Sequence, residues 1–262
     1  MFIPASATTI ADRRQNDVRV QGSALRSALE LRYQVYCVEC NFLSAGDYPD
    51  GFETDEHDER AAHFYAFDAR EELVGYVRLV RPDPEQLFPI QRHCELAPDG
   101  IALPAPHRAA EISRLMVRSD YRRRRGDRLS GVTAEQNRAA FAGERRHEAP
   151  QILLSLYRQM YAYSLENDIR YWYAAMERPL ARSLMRLDFA FQVIGPQANY
   201  YGPVAPYLAD LRELEAQVGS HHPELLAWLQ HPQRWFGKKT HGEEWGLCHV
   251  SQPVVRTAPS NA

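Results

Sequence analysis

Hydrophobic and polar positions alternate along this chain in patterns that mark out a series of elements. From Ser23, the apolar positions Leu25, Leu29, Val35 and Tyr36 recur among charged residues, predicting an amphipathic helix with Ser23 as its N-cap. A Gly-, Asp- and Pro-rich loop runs to about Glu59. Two aromatic and β-branched runs follow, His63 to Phe67 and Leu73 to Val80. The short polar link Asp68 to Glu72 predicts that they form a hairpin. Residues 81–107 are proline-rich and read as a loop excursion with a short helix from Phe88 to Cys94, before a strand from Ala109 to Val117. Ser119 to Ala149 is polar and basic. Pro150 opens a strongly apolar helix to about Asn167, with Ile152, Leu153, Leu156, Tyr157, Met160, Tyr161 and Leu165 at helical spacing. Ile169 to Met176 reads as a buried strand, Pro179 to Leu187 as a short helix, and Phe189 to Ile194 and Asn199 to Tyr207 as strands. Leu208 to Val218 and Pro223 to Leu229 read as helices.

This order of elements describes one α/β (α+β) domain with a mixed sheet. Residues 1–20 are expected to be a weakly ordered leader, 21–236 the domain with a helical extension at 208–236, and 237–262 a tail. A chain of 262 residues, 45% hydrophobic, can bury a sizeable core, and its formal charge of −3 gives no global reason to expect nucleic acid. No segment approaches the ~18 consecutive apolar residues of a membrane span, and the start of the chain lacks a signal-peptide core. A cytoplasmic protein is expected. The four cysteines do not make a disulfide framework, and Cys37-x-x-Cys40 lacks the second pair of a zinc ribbon; no metal is expected.

Candidate chemistry concentrates in Ala110-Glu111-Ile112-Ser113-Arg114-Leu115-Met116-Val117. With a side-chain period of two, Glu111, Ser113, Leu115 and Val117 would share one face and Ile112, Arg114 and Met116 the other. A carboxylate and a hydroxyl in an apolar strand either close a structural network or line a site. An acidic run, Asp47 to Glu59, and an arginine run, Arg122 to Arg128, add local charge. The acidic run is not an EF-hand, since Pro49 and Gly51 would fall on liganding positions. Its default reading is a solvated loop, as a solvated face is for the arginines.

Leu31-Arg32-Tyr33-Gln34-Val35-Tyr36, Glu53-x-Asp55-x-x-Asp58, Gly75-Tyr76-Val77-Arg78-Leu79 and Glu111-x-Ser113-Arg114 follow, in order, the pattern of the acyl-homoserine-lactone synthases. The chain thus resembles the GNAT-like N-acyltransferases, including the long-chain N-acyl amino acid synthases. With Tyr200-Tyr201-Gly202-Pro203-x-Ala205-Pro206-Tyr207, it also resembles the acyltransferases associated with the PEP-CTERM/exosortase system. The resemblance implies a GNAT-like fold, with a mixed, mostly antiparallel central sheet flanked by helices. It also implies transfer of a long-chain fatty acyl group from acyl carrier protein to the amine of a small amino-acid-like acceptor, with no tightly bound cofactor.

Under that resemblance Glu111 and Ser113 work at the reacting centre, with Glu53 as an alternative base and a backbone N–H near Met116 to Arg118, including Val117, as oxyanion donor. Arg32, Tyr36, Asp55, Asp58, Arg78 and Arg114 serve substrate binding, and Arg122, Arg123, Arg124, Arg125 and Arg128 the carrier or its phosphopantetheine. The chain has Phe42 where the lactone synthases carry a tryptophan. Arg123-x-x-Gly126 is followed by Asp127-Arg128, not by the second small residue of a coenzyme A pyrophosphate turn, which favours a carrier-bound donor over acyl-CoA. Two alternatives stand beside this reading: a lactone-forming synthase using S-adenosylmethionine, and a non-catalytic module that binds acyl carrier protein.

Overall fold

In the computed structural model, residues 10–68, 70–82, 88–97, 102–121 and 149–230 are described. Helix α1 spans Ile10–Tyr33 and continues into a π-helical turn, Gln34–Glu39. Strands β1 (Ala61–Phe67) and β2 (Leu73–Val80) form the expected antiparallel hairpin. Helix α2 (Pro89–His93), β3 (Ala109–Val117), α3 (Ala149–Glu166), β4 (Tyr171–Met176) and α4 (Arg178–Met185) follow. The described chain closes with β5 (Phe191–Val193), β6 (Ala198–Asn199), β7 (Pro203–Asp210), α5 (Leu211–His221) and α6 (Pro223–Gln230). No helix among the described residues is long and apolar enough to cross a membrane.

The sheet runs β1-β2-β3-β4-β7-β5, with β6 against β7. Every pairing is antiparallel except β3 with β4. One face carries the main core, where Phe64, Val77, Leu79, Ile112 and Leu115 meet Leu156, Met160 and Tyr161 of α3 and Leu214 and Val218 of α5. Gly75 permits this packing: a Cβ there would sit 2.6 Å from Ile152 Cγ2. The opposite face is covered by α1 with the π-helical turn, and by α2. The mixed, mostly antiparallel sheet between helical layers is the fold expected of a GNAT-like protein.

Three sequence expectations need correction. The first helix begins at Ile10, ahead of Ser23 and inside the segment expected to be a leader. The single strand expected at Asn199 to Tyr207 is instead a tight hairpin, β6 and β7, turning through Tyr201 and Gly202, both with positive φ. The third correction concerns the faces of β3. Tyr76 pairs with Met116 and Arg78 with Ser113, so Val77 alone faces the two residues Arg114 and Leu115. This is a β-bulge, with Arg114 in the left-handed region at φ 55°. The extra residue shifts the alternation by one. Ala110, Ile112, Leu115 and Val117 therefore face the main core, while Ser113, Arg114 and Met116 lie on the Glu111 side.

Candidate functional site

The bulge gathers the polar residues. Arg32 from α1, Arg78 from β2 and Arg114 from β3 converge on Glu53, Asp55 and Asp58 of the acidic loop. Arg78 grips Asp55 with two bonds of 2.6 Å, Nη1 to Oδ1 and Nη2 to Oδ2, and its Nη1 also donates to Asp58. Arg32 donates through Nε to Glu53 and through Nη1 to Asp58 at 2.5 Å. Arg114 grips Glu53, Nη2 to Oε1 at 2.9 Å and Nε to Oε2 at 3.2 Å, and reaches Asp55 at 3.1 Å. The loop closes over these contacts through Asp55 N–H to Asp58 Oδ2 and Glu53 N–H to Leu29 O.

Three guanidinium groups thus meet three carboxylates, and each member needs the others. Burial alone would raise the carboxyl groups; Arg114 and Arg32 beside Glu53, Arg78 beside Asp55, and Arg32 and Arg78 beside Asp58 outweigh it and hold all three below the ordinary range. Such a network is architectural. Arg32, Arg78 and Glu53 are fully buried. Arg32 is therefore not a surface group for donor phosphate. Glu53 is held ionised between two arginines, out of reach of an incoming amine. Asp55 and Asp58 retain some exposure but spend their oxygens on arginines.

Glu111 stands apart. It is buried, and the one hydrogen bond it makes among the described residues comes from the Ile90 N–H, 2.8 Å from Oε2. Burial pushes its carboxyl up to about 8, against the opposing pull of the Ile90 amide, Arg78 and Arg114. Ser113 is buried beside it, with Arg78 Nη2 at 3.4 Å from its Oγ.

Beyond the Ile112–Ala174 pair the β3–β4 pairing stops. A solvent-open pocket lies there. Glu111, Ser113, Arg114 and Tyr36 line it together with Tyr200 and Tyr201. Its apolar wall is Ile112, Leu115, Tyr157, Ala174, Met176, Leu180 and Val204. Tyr36 and Tyr201 lie over the Arg114 guanidinium, at 4.7 and 5.3 Å. Phe42 packs against both tyrosines, each ring 6.0 Å away.

Of the sequence candidates, Glu111, Ser113, Arg114 and Tyr36 meet at this pocket; Glu53, Asp55, Asp58, Arg32 and Arg78 form the brace behind it. Val117 faces the main core instead, and the Arg118 N–H is spent on Val74 O at 2.8 Å, so the expected oxyanion donor does not lie there. The two bulge residues, Arg114 and Leu115, both line the pocket. Arg122, Arg123, Arg124, Arg125 and Arg128 lie outside the described residues.

Sequence reasoning missed Tyr200 and Tyr201 as pocket residues, reading their segment only as a resemblance. It also missed the exposed arginines Arg178, Arg182 and Arg186, four residues apart along α4, whose own Leu180 lines the pocket. Their spacing is visible in the sequence.

Residues 31–131 match the family model described as an acetyltransferase (GNAT) domain. The structure is similar to that of BjaI, a CoA-dependent acyl-homoserine lactone synthase solved with SAM and isopentyl-CoA; the TM-score is 0.56 at 20% identity over 79% of this chain and 84% of that one. It is also similar to TofI in a ternary complex with an inhibitor and MTA, with a TM-score of 0.52 at 15% identity over 79% and 90% of the two chains. FeeM, an N-acyl amino acid synthase from uncultured soil microbes, aligns at 14% identity over 80% of this chain and 91% of that one, with a TM-score of 0.39. No curated protein matches the chain. The match to the GNAT domain thus covers residues 31–131, and the fold is one shared with these solved structures.

Proposed function

We propose that this protein moves a long-chain fatty acyl group from the thioester of acyl carrier protein to the amine of a small amino-acid-like acceptor. The observation that carries the reading is Glu111: a buried carboxyl, raised to about 8, on an apolar pocket where two paired strands part. A base with that affinity for protons is matched to an ammonium group near neutral pH. Glu111 takes a proton from the acceptor, and the free amine attacks the thioester carbonyl carbon. The C–N bond forms, the C–S bond breaks, and the thiolate leaves and is protonated, giving an amide and a free thiol. No serine or cysteine nucleophile is needed, because the amine attacks directly. Backbone at the Arg114–Leu115 bulge and the Ser113 hydroxyl are the groups placed to meet the developing oxyanion. The apolar wall from Ile112 to Val204 suits an acyl chain.

A carrier-borne donor is favoured by charge. Arg178, Arg182 and Arg186, exposed and four residues apart on α4 and its C-cap, present a basic stripe complementary to an acidic carrier surface. Membership of the PEP-CTERM/exosortase-associated group rests on the Tyr200 to Tyr207 segment.

The test is intact-mass analysis of long-chain acyl carrier protein incubated with the protein and a pool of amino acids, with a search for new acyl amides. Loss of the acyl group only when amines are present, and not with Glu111→Gln, supports the reading and names the acceptor. A homoserine lactone formed only with S-adenosylmethionine, or acyl carrier that binds but never turns over, overturns it.

A further inference from the structure

Helix α2 lies in the proline-rich excursion between β2 and β3, and it is anchored more firmly than a loop insertion requires. Phe88, Ile90 and Cys94 are buried against Tyr173, Ile194 and Val204. The Gln91 side chain accepts the Phe88 N–H at 3.0 Å, and the Cys94 N–H donates to Ile90 O at 2.8 Å. Arg92 is paired with Glu56 of the acidic loop at 2.5 Å. Further along, the Ala97 N–H donates to Ile194 O at 2.6 Å, and Gly195 passes so close that a Cβ there would lie 2.1 Å from Glu95 O. The His93 ring stacks on Tyr200, with centroids 4.2 Å apart and planes at 11°, so the helix also braces a wall of the pocket.

We infer that α2 is a positioning element for Glu111, and that the Ile90 main-chain N–H is the group through which it acts. A buried amide must find an acceptor. Here it finds Glu111, which unlike Glu53, Asp55 and Asp58 is not gripped by an arginine, and it is that carboxyl group's one hydrogen bond among the described residues. The bond has two consequences. It fixes Oε2, leaving proton transfer to Oε1. It also favours the anion over the neutral acid, so it sets how much base is present at a given pH. Without it, only the pull of Arg78 and Arg114, neither hydrogen-bonded to Glu111, would favour the anion.

This rests on the assignment of Glu111 as the base, but it can be tested apart from it. Glu111 is followed by carboxyl ¹³C resonance in full-length protein made with side-chain-labelled glutamate and assigned with Glu111→Gln. Ile90→Pro removes the N–H at a first-turn position where a helix tolerates proline. Should that variant not fold, the α-hydroxy analogue of isoleucine at position 90, which turns the amide into an ester, removes the same N–H and keeps the side chain. Either change is expected to raise the Glu111 midpoint by about one pH unit, a tenfold change in ionisation constant, and to move the acid limb of kcat/KM by the same amount. Ile90→Val keeps the N–H and is expected to leave both in place. An unchanged midpoint without the N–H, or an equal change in Ile90→Val, overturns the inference. A midpoint that moves while the rate profile stays fixed upholds the positioning of Glu111 and overturns its role as base.

Discussion

At the scale of single residues, two buried acids on neighbouring elements have opposite fates because of their partners. Glu53 is gripped by Arg32 and Arg114; Glu111 has one backbone amide. Desolvation acts on both, yet only Glu111 is left with a high proton affinity. The two therefore respond differently to substitution. Glu111→Gln keeps the acceptor for Ile90 and is expected to fold, while losing amide formation by at least 100-fold, the order general base catalysis supplies. Arg114→Lys keeps the charge but loses the planar fork that holds Glu53 and Asp55. It is expected to cost on the order of 3 kcal/mol, as buried pairs do when one partner can no longer reach. Urea denaturation of both variants checks this: a loss in Glu111→Gln as large as in Arg114→Lys would place Glu111 in the brace instead of the site.

At the scale of elements, the chemistry depends on one extra residue in β3 and on strands that part. Neither leaves a mark in the hydrophobic pattern. Ala109 to Val117 is buried along its whole length, so alternation carries no information on which side each residue faces, and a bulge is invisible. The hairpin β1–β2 and the helix α3 were legible because their runs have clear ends and one period. The six charged residues of the brace were legible as types; their pairing was not, since it joins α1, a loop, β2 and β3. The Tyr201–Gly202 turn was marked by the Gly202-Pro203 pair, but the segment reads as one strand. Helix α4 was legible as a helix, and the carrier contact proposed for it rests on its exposed arginines. Reversing Arg178 and Arg182 to glutamate is expected to lower kcat/KM for carrier-bound donor about tenfold at low salt, with the difference shrinking as salt rises. The same pair of changes is expected to leave a pantetheine thioester donor nearly unaffected, since that donor has no acidic surface to dock. Equal losses on both donors would remove α4 from the carrier interface.

At the scale of the whole molecule, the brace and Glu111 pull the pH dependence of stability in opposite directions. Glu53, Asp55 and Asp58 have lowered affinities for protons when folded, so their stabilisation is present above the ordinary carboxylate range and is lost as pH falls through and below it. Glu111 is raised from 4.5 to about 8. Between those values the unfolded chain has released a proton that the folded protein keeps, so folding takes up a proton and stability declines as pH rises, levelling off above 8. The cost across that window is on the order of a few kcal/mol, a large share of the ~5–15 kcal/mol that holds an ordinary domain together. The protein is therefore expected to be most stable in mildly acidic solution, just above the range where the brace protonates. Glu111→Gln has no proton to take up. Its urea-unfolding free energy is expected to gain steadily on that of the native sequence from pH 5 to 8, while the acid-side loss from the brace and the contribution of His57, His63 and His93 are expected to be the same in both. Parallel curves above pH 5 would mean that Glu111 ionises in the folded protein much as it does in the unfolded chain. That outcome would remove the physical basis for placing the base in this pocket, because a carboxylate that ionises as easily as a solvated one would hold too little affinity for the acceptor's proton.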